Sequence, residues 1–190
     1  KTYGPHIALM YGKKELLKKL PNQNHEFLKG EYPYTLNPGG PNHEELVSIL
    51  GIYEYFNSLY NHHFSNKKKS LIEKISNINE LFAKHEQMIT NPLLDYLDKN
   101  PNFTLYGKNK IENKNRAPTI AFTHKRKSSK IVSNFLIKHK IATRNDNFYA
   151  WRCLKALSID TNDGVVRLSL THYNTKKEVK KIIEILKKNF

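Results

Sequence analysis

The period of the apolar residues changes near residue 103, and this change constrains the fold more than any other feature. Before residue 103, apolar side chains recur every three or four positions, which predicts long amphipathic helices. After it, short runs rich in β-branched and aromatic residues alternate with amphipathic segments, which predicts strands and helices in turn. The chain is therefore expected to end in a small sheet covered by helices on one side, an α+β unit.

Four short runs supply the strands of this unit. They read "FTLY", "TIAFT", "KIAT" and "VVRLSLT", and the segment "SSKIVSNFLIKHK" between the second and third predicts an amphipathic helix. Helical spacing is also present in "YAWRCLKAL" and in the final segment "NTKKEVKKIIEILKKN".

The first 41 residues are less regular. Residues 6–11, "HIALMY", predict a short buried strand, and a lysine-rich helix is expected at 13–20, where Pro21 stops it. Residues 21–41 contain four prolines and the pair Gly39-Gly40, so we expect a loop. The helix that follows has an apolar stripe predicted to be buried, made of Leu46, Val47, Leu50, Tyr53 and Phe56.

Capping signals mark where the helices begin. A Ser, Thr or Asn followed three residues later by Glu is typical of a helix start, because each side chain binds a backbone N–H of the other. Three such pairs are present: Asn42 and Glu45, Ser70 and Glu73, and Thr175 and Glu178. Pro92 lies within the second long helical segment, and because proline lacks an N–H we expect a kink or a new start there, with Asn91 as the cap.

The net charge of +15 raises the question of a nucleic-acid partner. Only five of the 32 basic side chains are arginines, and arginine is the residue that best reads base edges and grips phosphates. The lysines are scattered along the chain, which favours a solvated surface and no nucleic-acid function, although a basic nucleic-acid-binding module stays an alternative.

Other classes are excluded by simple patterns. No apolar run reaches the roughly 20 residues that a membrane span needs. A single cysteine, Cys153, allows no internal disulfide and indicates a reducing, cytoplasmic location. The histidines predict no metal site, because His62 and His63 are adjacent and His85-Glu86 lacks a second histidine at ligand spacing.

The strand "GVVRLSLTHYNT" contains the strongest candidate site residue. Alternation places Val166, Leu168 and Leu170 on one face and Arg167 on the other, together with Val165, Ser169 and Thr171. The planar guanidinium of Arg167 suits a bidentate grip on a carboxylate. The alternative is a surface arginine paired with a nearby acid.

Five segments, in order, resemble class V aminotransferases and cysteine desulfurases, which are pyridoxal phosphate (PLP) enzymes. The segments are "KTYGPHIALMYGKKELL", "GGPNHEELVSIL", "RAPTIAFT", "KIATRNDNFYAWR" and "GVVRLSLTHYNTKKEV", and they cover nearly the whole chain. The "NFYA" motif is similar to one in the cysteine desulfurase-like branch of the family.

The resemblance implies an α/β fold of the PLP-dependent transferase fold type I. It identifies the chain as the C-terminal part of an enzyme about twice as long: residues 1–42 as the end of the PLP-binding large domain, 43–98 as long connecting helices and 99–190 as the α+β small domain. It also implies an amino-acid substrate and a cytoplasmic homodimer with the site at the subunit interface. The isolated fragment is expected to have little or no activity.

The resemblance assigns roles to individual residues. Lys1 matches the catalytic lysine that forms a Schiff base with PLP, and Arg167 matches the arginine that binds the substrate's α-carboxylate. Arg144 matches a second active-site arginine of many desulfurases. Gly40 stands where the family has a threonine that reaches the cofactor phosphate. His6 is expected to line the cofactor site.

Asn42 is expected either to line the substrate site or to act only as the helix cap. Tyr149 occupies the position of the desulfurase cysteine and cannot take sulfur as a persulfide, which leaves transamination, elimination or racemisation open. Cys153 is expected to be a small core residue, with a displaced sulfur acceptor as the alternative, in which case the protein is a true cysteine desulfurase. A degenerate, non-catalytic partner subunit is a further alternative.

Overall fold

The computed structural model describes residues 4, 6–32, 34–37, 39–66 and 68–190. The chain divides into two compact units, Lys1–Ile78 and Asn79–Phe190, and the division falls within one long helix. Within the described part, no helix combines the length and the apolar character that crossing a membrane requires.

The first unit is helical. It contains α1 (Lys14–Leu17), α2 (His43–His63) and the beginning of α3 (Leu71–Lys99), with two short 3-10 turns at Glu26–Leu28 and Tyr34–Leu36. The loop before α2 is fastened by one amide, since Asn24 Nδ2 donates to the carbonyls of Tyr34 and Asn37 at 2.8 Å each.

The buried strand predicted at residues 6–11 is wrong. These residues form no strand, and Leu9, Met10 and Tyr11 are 73%, 71% and 89% exposed. A strand needs a neighbour to satisfy its backbone N–H and C=O groups, and none of the described strands pairs with this run.

Helix α2 begins where predicted, but most of its apolar stripe is exposed, and only Phe56 is half-buried. Asn42 Oδ1 accepts a hydrogen bond from the Glu45 N–H at 2.8 Å, so Asn42 is the cap. Val47 and Leu50 are more than 60% exposed, which contradicts their predicted burial, because a helical period marks an apolar face and does not identify the surface that covers it. The buried residue of α2 is Tyr60, whose hydroxyl donates to the Asn66 carbonyl at 2.7 Å.

Helix α3 continues through Pro92, so the new helix start expected there is wrong. Ser70 and Glu73 form the predicted reciprocal cap: Glu73 Oε2 accepts from the Ser70 N–H at 2.9 Å. Asn91 does not act as a cap, because its side chain binds both backbone groups of Ile111, at 2.8 and 3.2 Å. Buried leucines on the turns after Pro92 bind the helix into the core and offset the lost hydrogen bond.

The second unit contains a four-stranded antiparallel sheet in the order β1-β2-β4-β3. Its strands are β1 (Phe103–Tyr106), β2 (Thr119–His124), β3 (Arg144–Asp146) and β4 (Val165–Ser169). The helices of this unit after α3 are α4 (Ser129–Lys138), α5 (Trp151–Ala156) and α6 (Lys176–Asn189).

The strand predicted at "KIAT" begins later, at Arg144. The residues after α4 complete the end of that helix: the Ile141 N–H donates to the Leu136 carbonyl at 3.1 Å, and Lys140 has a φ of 60°. Backbone groups used in this helix end are not available for a sheet ladder, so pairing with β4 starts only once the chain has left it.

The hydrophobic core lies on one face of this sheet, as predicted for an α+β unit. Side chains from α3, α4 and α6 pack there against residues of β2 and β4. The fully buried members include Leu93, Leu94, Leu97, Ile120, Phe122, Val132, Leu136, Val166 and Leu186. Because successive strand residues point to opposite faces, the residues between the buried ones lie on the face away from these helices.

A carboxylate joins the beginnings of α4 and β4. Both oxygens of Asp163 accept from the Ser129 N–H, at 2.9 and 2.8 Å, and the buried Ser129 hydroxyl also donates to Asp163. Replacing Asp163 with alanine leaves these donors unsatisfied, so we expect a loss of about 2 kcal/mol in the free energy of unfolding, measured by urea denaturation. As a control, Asp95→Ala removes only an exposed pair with Lys99 and should cost less than about 1 kcal/mol; equal losses would contradict the assignment.

His124, at the end of β2, predicts a pH dependence of stability. Burial lowers the pKa of His124 below its ordinary value, and the charges of Arg126 and Lys127 lower this pKa further. The Nδ1 atom of His124 accepts hydrogen bonds from the backbone N–H groups of Arg126 and Lys127, at 3.0 Å each. The folded protein therefore holds the ring neutral. Unfolding therefore takes up a proton: stability is full above about pH 6.5 and falls as the pH drops below that value.

Urea midpoints measured between about pH 5 and 8 check this expectation. His124→Asn keeps an acceptor at the Nδ1 position and removes the titrating ring, so it should reduce the acid loss. The variant will not abolish the loss of stability in acid, because burial also lowers the pKa of His172. An unaltered profile in His124→Asn would show that the protonation of His124 is not linked to unfolding.

Candidate active site

Strand β4 places Arg167 on the face of the sheet away from the core. Val166 and Leu168, on either side of it, are fully or nearly fully buried, while Arg167 is half-buried, which confirms the predicted alternation around this residue. Val165 departs from the pattern because it is buried as well. The Arg167 backbone is held by Thr143, whose hydroxyl donates to the Arg167 carbonyl at 2.8 Å.

Arg144 lies directly opposite Arg167. The two are partners in the antiparallel register of β3 and β4, so their side chains leave the same face of the sheet. Like charges at directly opposite positions destabilise a sheet. In the part of the chain that the structure describes, neither guanidinium forms an ion pair with a carboxylate. The pair is therefore a cationic feature that a bound anion would neutralise.

An aromatic ring covers the Arg167 guanidinium. The Arg167 Cζ atom lies 4.0 Å from the centroid of the Phe148 ring, which is a cation–π contact. Phe148 and Tyr149 form the middle of the turn 147–150, and both have left-handed backbones, with φ of 52° and 61°. This turn is the one between β3 and α5, and it brings Phe148 to the face that carries both arginines.

Gly164 fixes the position of this turn from the β4 side. It is buried and has a φ of 69°. A Cβ atom at this position would overlap the carbonyl group of Asp146 and lie 2.8 Å from the Asn147 nitrogen. The absence of a side chain thus allows the start of β4 to approach the backbone of β3 closely, where the turn begins.

Of the six residues predicted for the site, the structure brings together Arg144 and Arg167. Lys1 lies outside the described residues. His6, Gly40 and Asn42 belong to the first unit. His6 and Gly40 are exposed, a Cβ at Gly40 would meet no atom within 4 Å, and Asn42 caps α2.

Phe148 is the one residue of this arrangement that the sequence does not predict. It is part of the "NFYA" motif, but neither its left-handed backbone nor its contact with Arg167 has a sequence signal, because phenylalanine rarely adopts positive φ. The one available sign is its position in a short segment between a strand that contains Arg144 and a helix.

The two residues relevant to sulfur chemistry are both exposed. Tyr149, which the resemblance matches to the desulfurase cysteine, is fully exposed at the tip of its turn. Cys153 is exposed on α5, so the expectation that it is a small core residue is wrong; the buried residue of this helix is Leu154. Among the described residues, no cluster of three or more His, Cys, Asp or Glu side chains has the arrangement of a metal site.

Known proteins are similar to this chain in sequence and in fold. The family model described as aminotransferase class-V matches residues 69–182. An aminotransferase-like protein of Gibberella zeae is 32% identical over 98% of this chain and 43% of its own length. A cysteine desulfurase of Shigella flexneri is 25% identical over 96% of this chain and 42% of its own length. The chain thus spans less than half the length of these relatives.

Two solved structures share the fold. The cysteine desulfurase CsdA of Escherichia coli has a TM-score of 0.55 at 18% identity, covering 82% of this chain and 32% of that one. The cysteine desulfurase of Thermococcus onnurineus NA1 has a TM-score of 0.61 at 19% identity, covering 82% and 33%. These likenesses confirm the predicted fold class, the α/β fold type I of PLP-dependent enzymes. With more than half of its residues matched by the family model, the chain belongs to the class V aminotransferase family.

Proposed function

We propose that this chain forms the substrate-carboxylate side of a PLP-dependent enzyme that acts on an amino acid, with Arg167 and Arg144 as the groups that bind the α-carboxylate. The single observation that supports this proposal is the arginine pair, directly opposite in register and without a carboxylate partner among the described residues. A carboxylate accepts two parallel N–H bonds from one guanidinium, and its charge relieves the repulsion between the two.

The donor set fits the substrate side of such a centre. When bound, PLP supplies an electron sink for the charge that develops at the substrate's Cα. The cofactor side rests on family resemblance: Lys1 would hold the cofactor, and His6 and Gly40 would contact it. Arg167 and Arg144 bind and orient the substrate through its carboxylate.

The proposal extends to the organisation of the protein. Residues 1–42 would close a large PLP-binding domain, 43–98 would connect it through long helices, and 99–190 would form the small domain. We also propose a homodimer with the site at the subunit interface, located in the cytoplasm, as the family resemblance implies.

The cofactor part is tested by chemical capture. The complete protein that contains this chain is incubated with PLP, reduced with borohydride and digested, and its peptides are weighed by mass spectrometry. The expected result is a pyridoxyl group on the ε-amine of Lys1 and none on Lys13, a nearby lysine of the same segment. A modified lysine elsewhere, or none, would contradict the assignment of Lys1.

A second candidate function is cysteine desulfuration through Cys153, and the exposure of that thiol favours it. In such a reaction the thiolate takes the substrate sulfur as a persulfide, which requires an accessible sulfur atom. The test measures sulfide released from L-cysteine in the presence of a thiol reductant. Release that Cys153→Ala abolishes and Tyr149→Phe leaves unchanged would establish this function; release that persists in Cys153→Ala would exclude the role of Cys153.

A further inference from the structure

We infer that Phe148 is a positioning residue, whose ring holds the Arg167 guanidinium in the orientation that binds the carboxylate. This inference rests on the proposed function, because it assigns Phe148 a role through Arg167. It concerns a side chain for which neither the charge nor the polarity suggests a part in substrate binding.

The geometry supports this role. At 4.0 Å from the ring centroid, the Arg167 guanidinium lies over the ring of Phe148. The Cζ atom carries no N–H, so a ring contact centred on Cζ leaves the N–H fork free for a carboxylate. Arg144, directly opposite in register, carries a like charge that repels this guanidinium, and the attraction between cation and ring favours the position of Arg167 beside Phe148.

Phe148 does not serve the hydrophobic core. It is half-buried and is not among the residues that pack in the core of the second unit. Membership of this core therefore does not account for a phenylalanine here, whereas the contact with Arg167 does.

The backbone of Phe148 is held in a costly conformation. Two consecutive non-glycine residues, Phe148 and Tyr149, have positive φ, at roughly 1–3 kcal/mol each for bulky side chains. Local bonds enforce the turn: Asn147 Oδ1 accepts from the Tyr149 N–H at 3.1 Å, the Asn147 carbonyl from the Ala150 N–H at 2.9 Å, and Asp146 Oδ1 from the Asn147 N–H at 2.7 Å. Such strain is typical of functional positions and is here used to place one ring.

These facts allow a test in which stability and binding respond in opposite directions. Asparagine is among the residues that best tolerate a left-handed backbone. Phe148→Asn therefore relaxes the turn while it removes the ring, so the protein should be as stable as the unmodified one or more stable. If the ring served only the fold, its removal would leave carboxylate binding unchanged.

The readout is the discrimination between an acid and its amide. L-alanine and L-cysteine, each with its α-carboxamide, are titrated into the complete PLP-loaded protein, and dissociation constants are read from the cofactor absorbance. Phe148→Asn should lower the preference for acid over amide by about tenfold. This is the ratio of dissociation constants that corresponds to the free energy of a partly desolvated cation–π contact. Phe148→Tyr should restore the preference, because it restores the ring.

Two further variants separate the possible outcomes. Tyr149→Asn relaxes the same turn but removes a ring that is fully exposed, so discrimination should stay at the unmodified level. In an Arg167→Gln background, Phe148→Asn should have no further effect, since the group that it positions is gone.

An unchanged preference in Phe148→Asn, together with a lost preference in Arg167→Gln, would overturn the role of Phe148 and leave the proposed function standing. Two results would contradict the proposed function itself. One is a preference for acid over amide that survives in Arg167→Gln, and the other is an unmodified protein that binds each amide as tightly as the acid.

Discussion

If Arg167 binds the substrate carboxylate as proposed, replacing it with glutamine should lower kcat/KM of the complete protein for an amino acid by about a hundredfold or more. The change removes two charge-assisted hydrogen bonds to the carboxylate, and each is worth roughly 1.5–3 kcal/mol. Most of the loss should appear in KM, because the carboxylate interacts with the protein before and during the reaction. Steady-state kinetics of the unmodified protein and of Arg167→Gln measures the changes in kcat and KM.

The matched control is Arg152→Gln on α5. Arg152 is an exposed arginine of the same unit, and its removal lowers the net charge by the same amount. Its kcat/KM should stay within about twofold of the unmodified value, since surface charges act weakly at a distance. Equal losses in both variants would mean that the overall positive charge, and not the position of Arg167, attracts the substrate.

Replacing Gly164 with alanine should destabilise the second unit by about 3 kcal/mol. The added methyl group meets the Asp146 carbonyl, a backbone group that cannot move aside without disturbing β3, and the positive φ adds further strain. The separation of β3 from β4 would also draw Arg144 away from Arg167, so substrate binding should fall together with the urea midpoint.

Gly107→Ala is the control for the backbone effect alone. Gly107 also has a positive φ, of 88°, but an added Cβ would meet only the tip of the Arg116 side chain, at 4.0 Å. We expect a cost of about 1 kcal/mol for this variant. If the two variants are equally destabilised, the close approach at Gly164 has no energetic weight.

The sequence predicted local structure well wherever a local interaction determines it. The strand "FTLY" has the bounds that were expected, and Thr175 and Glu178 form the predicted capping box, with the Glu178 carboxylate accepting from the Thr175 N–H at 2.6 Å. These signals depend on residues a few positions apart, so they can be read without knowledge of the rest of the fold.

Predictions failed where the outcome depends on a distant partner. The run at 6–11 has the composition of a strand but no described neighbour, and Leu50 lies on an apolar stripe that stays exposed. Helix α3 passes through Pro92 because core contacts outweigh a local penalty, and Cys153 is exposed because the helix turns Leu154 inward instead. Tertiary packing decided each of these results.

In the candidate site, too, the features set by local sequence were predicted and those that depend on tertiary structure were not. Strand alternation predicted the face of Arg167, but the register that puts Arg144 opposite it depends on how β3 pairs with β4. The ring of Phe148 reaches Arg167 through a left-handed backbone that its sequence does not indicate. The role of Lys1 stays a prediction from family resemblance.

The most direct test of the arginine pair compares the stability of the unmodified protein with that of Arg144→Gln, in the absence and presence of the amino acid that binds best. At low ionic strength without ligand, the variant should be more stable by about 0.5 kcal/mol, because it lacks the repulsion between directly opposite charges. With saturating ligand the order should reverse, because the unmodified protein binds the carboxylate more tightly and gains more stability from it. An order that stays the same under both conditions, or a variant that is less stable without ligand, would contradict a cationic pair arranged to bind a carboxylate.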